Sequence, residues 1–241
     1  MLTIGSLFSG IGGLELGLER AGLGPVLWQC EINPFARRVL AKHWPDVTRF
    51  EDISKQREWP KVELICGGFP CQDISYAGKG AGLDGARSGL WAEYAKVIGK
   101  IGPRFVIVEN VPALRSRGLG RVLGDISSLG YDAIWVSLSA RDVGACHKRE
   151  RIFIIANDRS ERGTWELSEE IPKFSELSRR QDVRGASIFG DRPAVHTPEL
   201  CRAGDGIPAR LDRLRAIGNA VVPQCAQVIG QIIMRRLGAN V

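Results

Sequence analysis

From the N-terminus to Asn157, apolar runs of strand length alternate with amphipathic stretches of helix length, and this alternation restricts the fold more than any other feature. Strands are predicted near Leu2 to Phe8, Val26 to Glu31, Val62 to Gly67, Phe105 to Asn110, Ala133 to Leu138 and Arg151 to Ala156. Helical spacing fills the intervals at Leu14 to Ala21, Pro34 to His43, Leu90 to Ile101 and Gly118 to Leu129, and Asn33 is placed to cap the helix that Pro34 opens. Such a pattern implies a doubly wound α/β domain on a mostly parallel sheet. Beyond Asn157 the pattern fails: residues 158 to 205 are polar, with scattered Pro and Gly and no sustained period, as in a small irregular domain or a long functional insertion. Periodicity returns at Ile207, with helical spacing in IPARLDRLRAIG, a break at GNAVVP and a last helix near Gln224 to Leu237.

Composition narrows the classes of function. A chain of 241 residues with 44% hydrophobic and 25% charged residues can bury a full core. No apolar run approaches the roughly 20 residues of a membrane span, and the N-terminus lacks a secretory pattern, so a cytoplasmic setting with no membrane partner is expected. Six cysteines form no C-x-x-C pair and only three histidines are present, which argues against a metal site and for free thiols. The net charge of +6 suggests an acidic partner. From Arg179 to Arg236 the fully charged cations are all arginine, a bias toward phosphate contact over a merely solvated surface.

Three motifs fall at predicted strand ends. The first strand runs into FSGIGGLELGLE, where Gly10, Gly12 and Gly13 permit a tight turn and close approach of a ligand to the next helix. Glu31 ends the second strand, where an acidic side chain can accept from ribose hydroxyls, and Asp52 follows a short third strand, where it could accept from an adenine amino group. NAD and S-adenosylmethionine both suit such a turn; the incomplete G-x-G-x-x-G spacing shifts the balance toward the ligand without phosphates. In GGFPCQDIS, Cys71 follows a strand and precedes a glycine-rich run. A lone cysteine is usually a buried hydrophobe, but Gln72, Asp73 and Ser75 argue against burial, and the later glycines suit a closing segment. In VIVENVPAL, Glu109 reaches the same sheet edge, either as a helix cap or as a general acid beside the cysteine.

Taken in order, FSGIGGLELGLE, CEINPFA, GGFPCQDIS, ENVPAL, DVGACHKRERIFIIA and GNAVVPQ resemble the ordered motifs of the cytosine-C5 DNA methyltransferases, over Leu2 to Ala156 and again over Ile207 to Ile233. The resemblance implies a Rossmann-like, S-adenosylmethionine-dependent methyltransferase fold acting on double-stranded DNA. It implies Cys71 as nucleophile, Glu109 as proton donor, and Arg149 and Arg151 as the arginine pair beside them. The cofactor site would comprise Phe8, Gly10, Gly12, Glu31, Ile32, Asp52, Ile53, Pro70 and Asn219, with Phe8 against the adenine. Asn219 belongs to a motif that packs the last helices back on the first domain. The division becomes a catalytic and cofactor-binding domain at 1–157, a target-recognition region at 158–206 and returning helices at 207–241. Candidate DNA contacts are Gln72, Ser75, Arg184, Arg192 and Arg202. The chain departs from the family pattern at Cys146 and His147, where proline and glutamine are usual, and its region before Ile207 is short. A restriction endonuclease or a specificity subunit is a partner the resemblance allows. RNA cytosine methylation and a non-catalytic nucleic-acid-binding module are the alternatives, with a nicotinamide oxidoreductase remote.

Overall fold

The computed structural model describes residues 1–70, 89–160 and 210–239. Its strands are β1 (Ile4–Leu7), β2 (Val26–Cys30), β3 (Thr48–Phe50), β4 (Leu64–Gly67), β5 (Phe105–Asn110), β6 (Tyr131–Ser139) and β7 (Glu150–Asp158). Its helices are α1 (Gly13–Arg20), α2 (Pro34–His43), α3 (Gly89–Ile101), α4 (Leu114–Arg117), α5 (Leu119–Ser128), α6 (Arg210–Asn219) and α7 (Pro223–Arg236). The seven strands form one sheet in the order β3-β2-β1-β4-β5-β7-β6. The expected doubly wound α/β arrangement is present.

β1 to β5 pair in parallel, whereas β7 runs antiparallel to both β5 and β6. Periodicity reports which residues are buried but not strand direction, so the reversal was hidden in the sequence. It has a direct consequence for the site, because the first residues of β7 lie beside the last residues of β5: Asn110 pairs with Ile152 and Glu109 with Phe153. β6 and β7 are also longer than their apolar runs suggest, since the ladder continues through polar Asp132 and Asn157. The predicted helix from Gly118 is preceded by the extra turn α4, and the chain breaks between the two at Gly118.

β1, β4 and β5 are buried along their whole length, as expected of strands covered on both faces. Alternate side chains feed two cores. Ile65, Val106 and Val108 pack with Tyr94, Val97, Ile98 and Val122 from α3 and α5. Leu64, Phe105 and Ile107 pack with Leu14 and Leu18 of α1 and Ala226, Ile229 and Ile233 of α7. α1 and α7 meet closely because Gly17 faces the Pro223 carbonyl and Ala226, where any Cβ would overlap. The stretch Leu211–Arg236 is long and apolar enough to cross a membrane by length and composition, a run the sequence reading passed over because GNAVVP divides it. Its second half is α7, whose apolar side chains are spent on the core.

Candidate active site and cofactor cleft

A cleft open to solvent lies at the carboxyl ends of β1, β4 and β5. Phe8, Gly10, Glu15, Gly68, Glu109 and Asn219 are among its lining residues. It therefore brings the first turn, the root of the cysteine segment, the predicted general acid and the returning C-terminal motif to one place.

The turn after β1 is built from left-handed backbone. Phe8 has φ 54°, a conformation costly for a side chain with a Cβ, and Gly10 and Gly12 follow at 57° and 87°. Gly12 serves as the N-cap of α1 and packs against Trp44. The Phe8 ring lies 6.2 Å from that of Tyr94. Both carboxylate oxygens of Glu31 are engaged by backbone, Oε2 accepting from Gly10 N at 2.7 Å and Oε1 from Asn33 N at 2.8 Å. Glu31 thus fixes the turn, and a carboxylate retains further acceptor positions for ligand hydroxyls. Asp52 accepts from the hydroxyl and the N–H of Ser54, and these bonds hold its pKa below the usual value. Ile32 is 68% exposed, whereas Ile53 is 6% exposed and belongs to the core. Gly12, Glu31, Ile32, Asp52, Ile53 and Pro70 do not line the cleft itself.

Glu109 is the penultimate residue of β5, with its side chain buried. Arg151 Nε lies 2.9 Å from its Oε1. Burial pushes the Glu109 pKa up, and the charges of Arg151 and then Arg149 pull against it. Arg149 donates from Nη1 to the Gly218 carbonyl at 2.6 Å, while its Nε and Nη2 are buried without a partner. Burial and the neighbouring Arg151 lower the Arg149 pKa. One guanidinium therefore ties the residue before β7 to the residue before Asn219. Sequence reading gave Asn110 no task, yet its amide donates to the Phe69 carbonyl at 3.2 Å and accepts from Val111 N at 2.9 Å. That bond holds the approach to Cys71 against the end of β5. Gly68 faces the Glu109 carboxylate so closely that a Cβ there would displace it. The doubled glycine in GGFPC was the available signal. Cys71, Gln72, Ser75, Arg184, Arg192 and Arg202 lie outside the described residues.

The sequence reading also missed Glu15. It is fully buried in the first turn of α1, and burial raises its pKa to about 7, with the Glu19 charge adding to the rise. The hydroxyls of Ser6 and Ser9 and its own N–H lie near enough to offset part of this, but neither oxygen meets a donor at hydrogen-bond geometry. Cys66 on β4 shares the environment, and its thiol is held protonated well above its usual pKa by burial. A buried carboxyl with a raised pKa contributes most below the unfolded value of 4.5, and that contribution is lost as pH rises through about 7. Glu15→Gln should therefore stabilise the ligand-free protein by about 3 kcal/mol above pH 7, with most of the gain gone at pH 4.5. Thermal unfolding of both proteins across that range checks it.

Comparisons with known proteins place the chain in a family. The chain is 38% identical over 164 residues to Type II methyltransferase M2.BsuMI of Bacillus subtilis, covering 65% of this chain and 42% of that protein. It is 37% identical over 163 residues to Type II methyltransferase M.Eco47II of Escherichia coli, covering 64% and 39%. The chain thus spans about two fifths of the length of these relatives. The structure of Entamoeba histolytica methyltransferase EhMeth superposes with a TM-score of 0.67 over 98% of this chain and 99% of that one, at 13% identity, a likeness of fold. The family model for C-5 cytosine-specific DNA methylase matches residues 2–192, continuing past Ala156 into the region after β7. With that match over most of its length, the chain belongs to the C-5 cytosine-specific DNA methylase family.

Proposed function

We propose that the protein transfers a methyl group from S-adenosylmethionine to C5 of cytosine in duplex DNA. The observation that carries this reading is Glu109, buried and oriented by Arg151, opening into the same cleft as the glycine turn after β1. S-adenosylmethionine is the methyl donor the family uses. The residues present fit it: Glu31 has spare acceptor capacity beside the turn, Phe8 lines the cleft, and the buried Glu15 oxygens have no hydrogen-bond donor. When bound, it supplies a methyl group electrophilic enough for an activated C5 to take.

C5 of cytosine is a poor nucleophile and is stacked inside the duplex, so the base must first be rotated out. The Cys71 thiolate then forms a bond to C6, and the displaced ring electrons gather at C5. Glu109 holds a proton at N3 to accommodate them, which its upward-shifted pKa favours. Arg151 keeps that carboxyl in place, and the unpartnered donors of Arg149 serve the base or the Cys71 segment. Loss of the C5 proton and departure of the Cys71 sulfur restore the ring. In this reading residues 1–157 carry donor binding and catalysis, residues 158–206 select the target, and residues 207–241 complete the cleft through Asn219. A restriction endonuclease or a specificity subunit recognising the same site would be the natural partner.

Incubation with tritiated S-adenosylmethionine and either duplex DNA or tRNA tests the proposal. Label is expected in the duplex. Absence of label in both polymers would overturn it, and label confined to tRNA would move the substrate to RNA.

A further inference from the structure

We propose that the Glu15 carboxylate receives the α-ammonium group of the methyl donor at the floor of the cleft. The proposal rests on the reading that the cleft binds S-adenosylmethionine. Glu15 lines the cleft together with Ser6, Ser9, Gly10 and Asn219. Its two oxygens are inaccessible to water and accept no hydrogen bond. The Ser9 hydroxyl donates instead to Ser6 Oγ at 2.9 Å, and what the nearby Ser6 and Ser9 hydroxyls offer Glu15 falls short of the cost of its burial. Among the described ion pairs none includes Glu15, and the charge that weighs on it, Glu19, has the same sign.

The surroundings sharpen the point. Ser6 is in register with Gln29 on one side and Cys66 on the other, a polar row across β2, β1 and β4 within a side of the sheet otherwise packed with apolar side chains. The Gln29 amide is likewise buried without a partner. An unpaired carboxyl in such a place costs stability in the ligand-free protein and is compensated when a cationic donor reaches it. Orphan acceptors call for N–H groups. A primary ammonium offers charge and three donors; a sulfonium offers charge and none, and ribose hydroxyls offer donors without charge.

Calorimetric titration of the full chain with S-adenosylmethionine, S-adenosylhomocysteine and 5′-methylthioadenosine separates these possibilities. Glu15→Gln should weaken the first two by roughly tenfold or more, the scale of a charge-assisted hydrogen bond, and leave the third, which lacks the amino-acid portion, unchanged. Wild-type protein should show a comparable loss for S-adenosylhomocysteine stripped of its α-amino group, which reads the same contact without any substitution. Unchanged binding of both amino-acid ligands by Glu15→Gln would overturn the proposal while leaving the donor reading intact. Weakening of S-adenosylmethionine alone would also overturn it, placing the carboxylate at the sulfonium. If wild-type protein binds none of the three, the donor reading fails and this proposal fails with it.

Discussion

Replacing Glu109 with glutamine should lower the rate of methyl transfer by roughly 10²- to 10⁴-fold, the range that a positioned general acid contributes, while donor binding stays close to wild type. The variant keeps the size of the side chain and its place beside Gly68, where larger changes would collide. What it loses is the transferable proton. It also removes the charge facing Arg151 and Arg149, so some local loosening at the start of β7 is expected. Single-turnover methylation of duplex DNA measures the chemical step directly, and calorimetry with S-adenosylmethionine confirms that the cleft is intact. A rate within severalfold of wild type would remove Glu109 from the chemistry.

Cys71→Ser should have a still larger effect, a loss of roughly 10⁴-fold or more, as when a covalent nucleophile is deleted. A serine hydroxyl is almost wholly protonated at neutral pH, whereas a thiol ionises readily and its thiolate is strongly nucleophilic. Two cationic groups in the described part of the site, Arg149 and Arg151, are placed to favour negative charge nearby. Donor affinity should be unaffected. Steady-state label incorporation and donor titration on the same preparation separate the two effects, and substantial turnover by the serine variant would exclude the covalent route.

Much of this arrangement was readable in the chain, for identifiable reasons. Buried strands such as Phe105–Asn110 advertise themselves as continuous apolar runs, and their ends locate Glu109 without further information. Asn33 and Pro34 marked the start of α2, where the Asn33 side chain caps two N–H groups. Strand direction was not readable, because a period of two is the same in either sense. Only the antiparallel course of β7 explains how Arg151, at the beginning of a strand, meets Glu109 at the end of another. Glu15 was invisible for a related reason. On α1 it sits between Leu14 and Leu16 and four residues before Glu19, as an exposed acid would. It faces Ser6 on β1 and Cys66 on β4 and shares the cleft with Asn219 from the far end of the chain, surroundings with no local signature.

The central claim is that Cys71 attacks C6 of a cytosine delivered to the Glu109 cleft. Incubating the protein with S-adenosylmethionine and a duplex carrying 5-fluorocytosine tests it, because fluorine at C5 cannot leave as the proton does and the adduct should persist. The expected result is a covalent protein–DNA complex that survives denaturation, with the cross-link mapping to Cys71 and absent in Cys71→Ser. Methylation of ordinary duplex DNA without any trapped complex, or trapping that persists in the serine variant, would contradict the account.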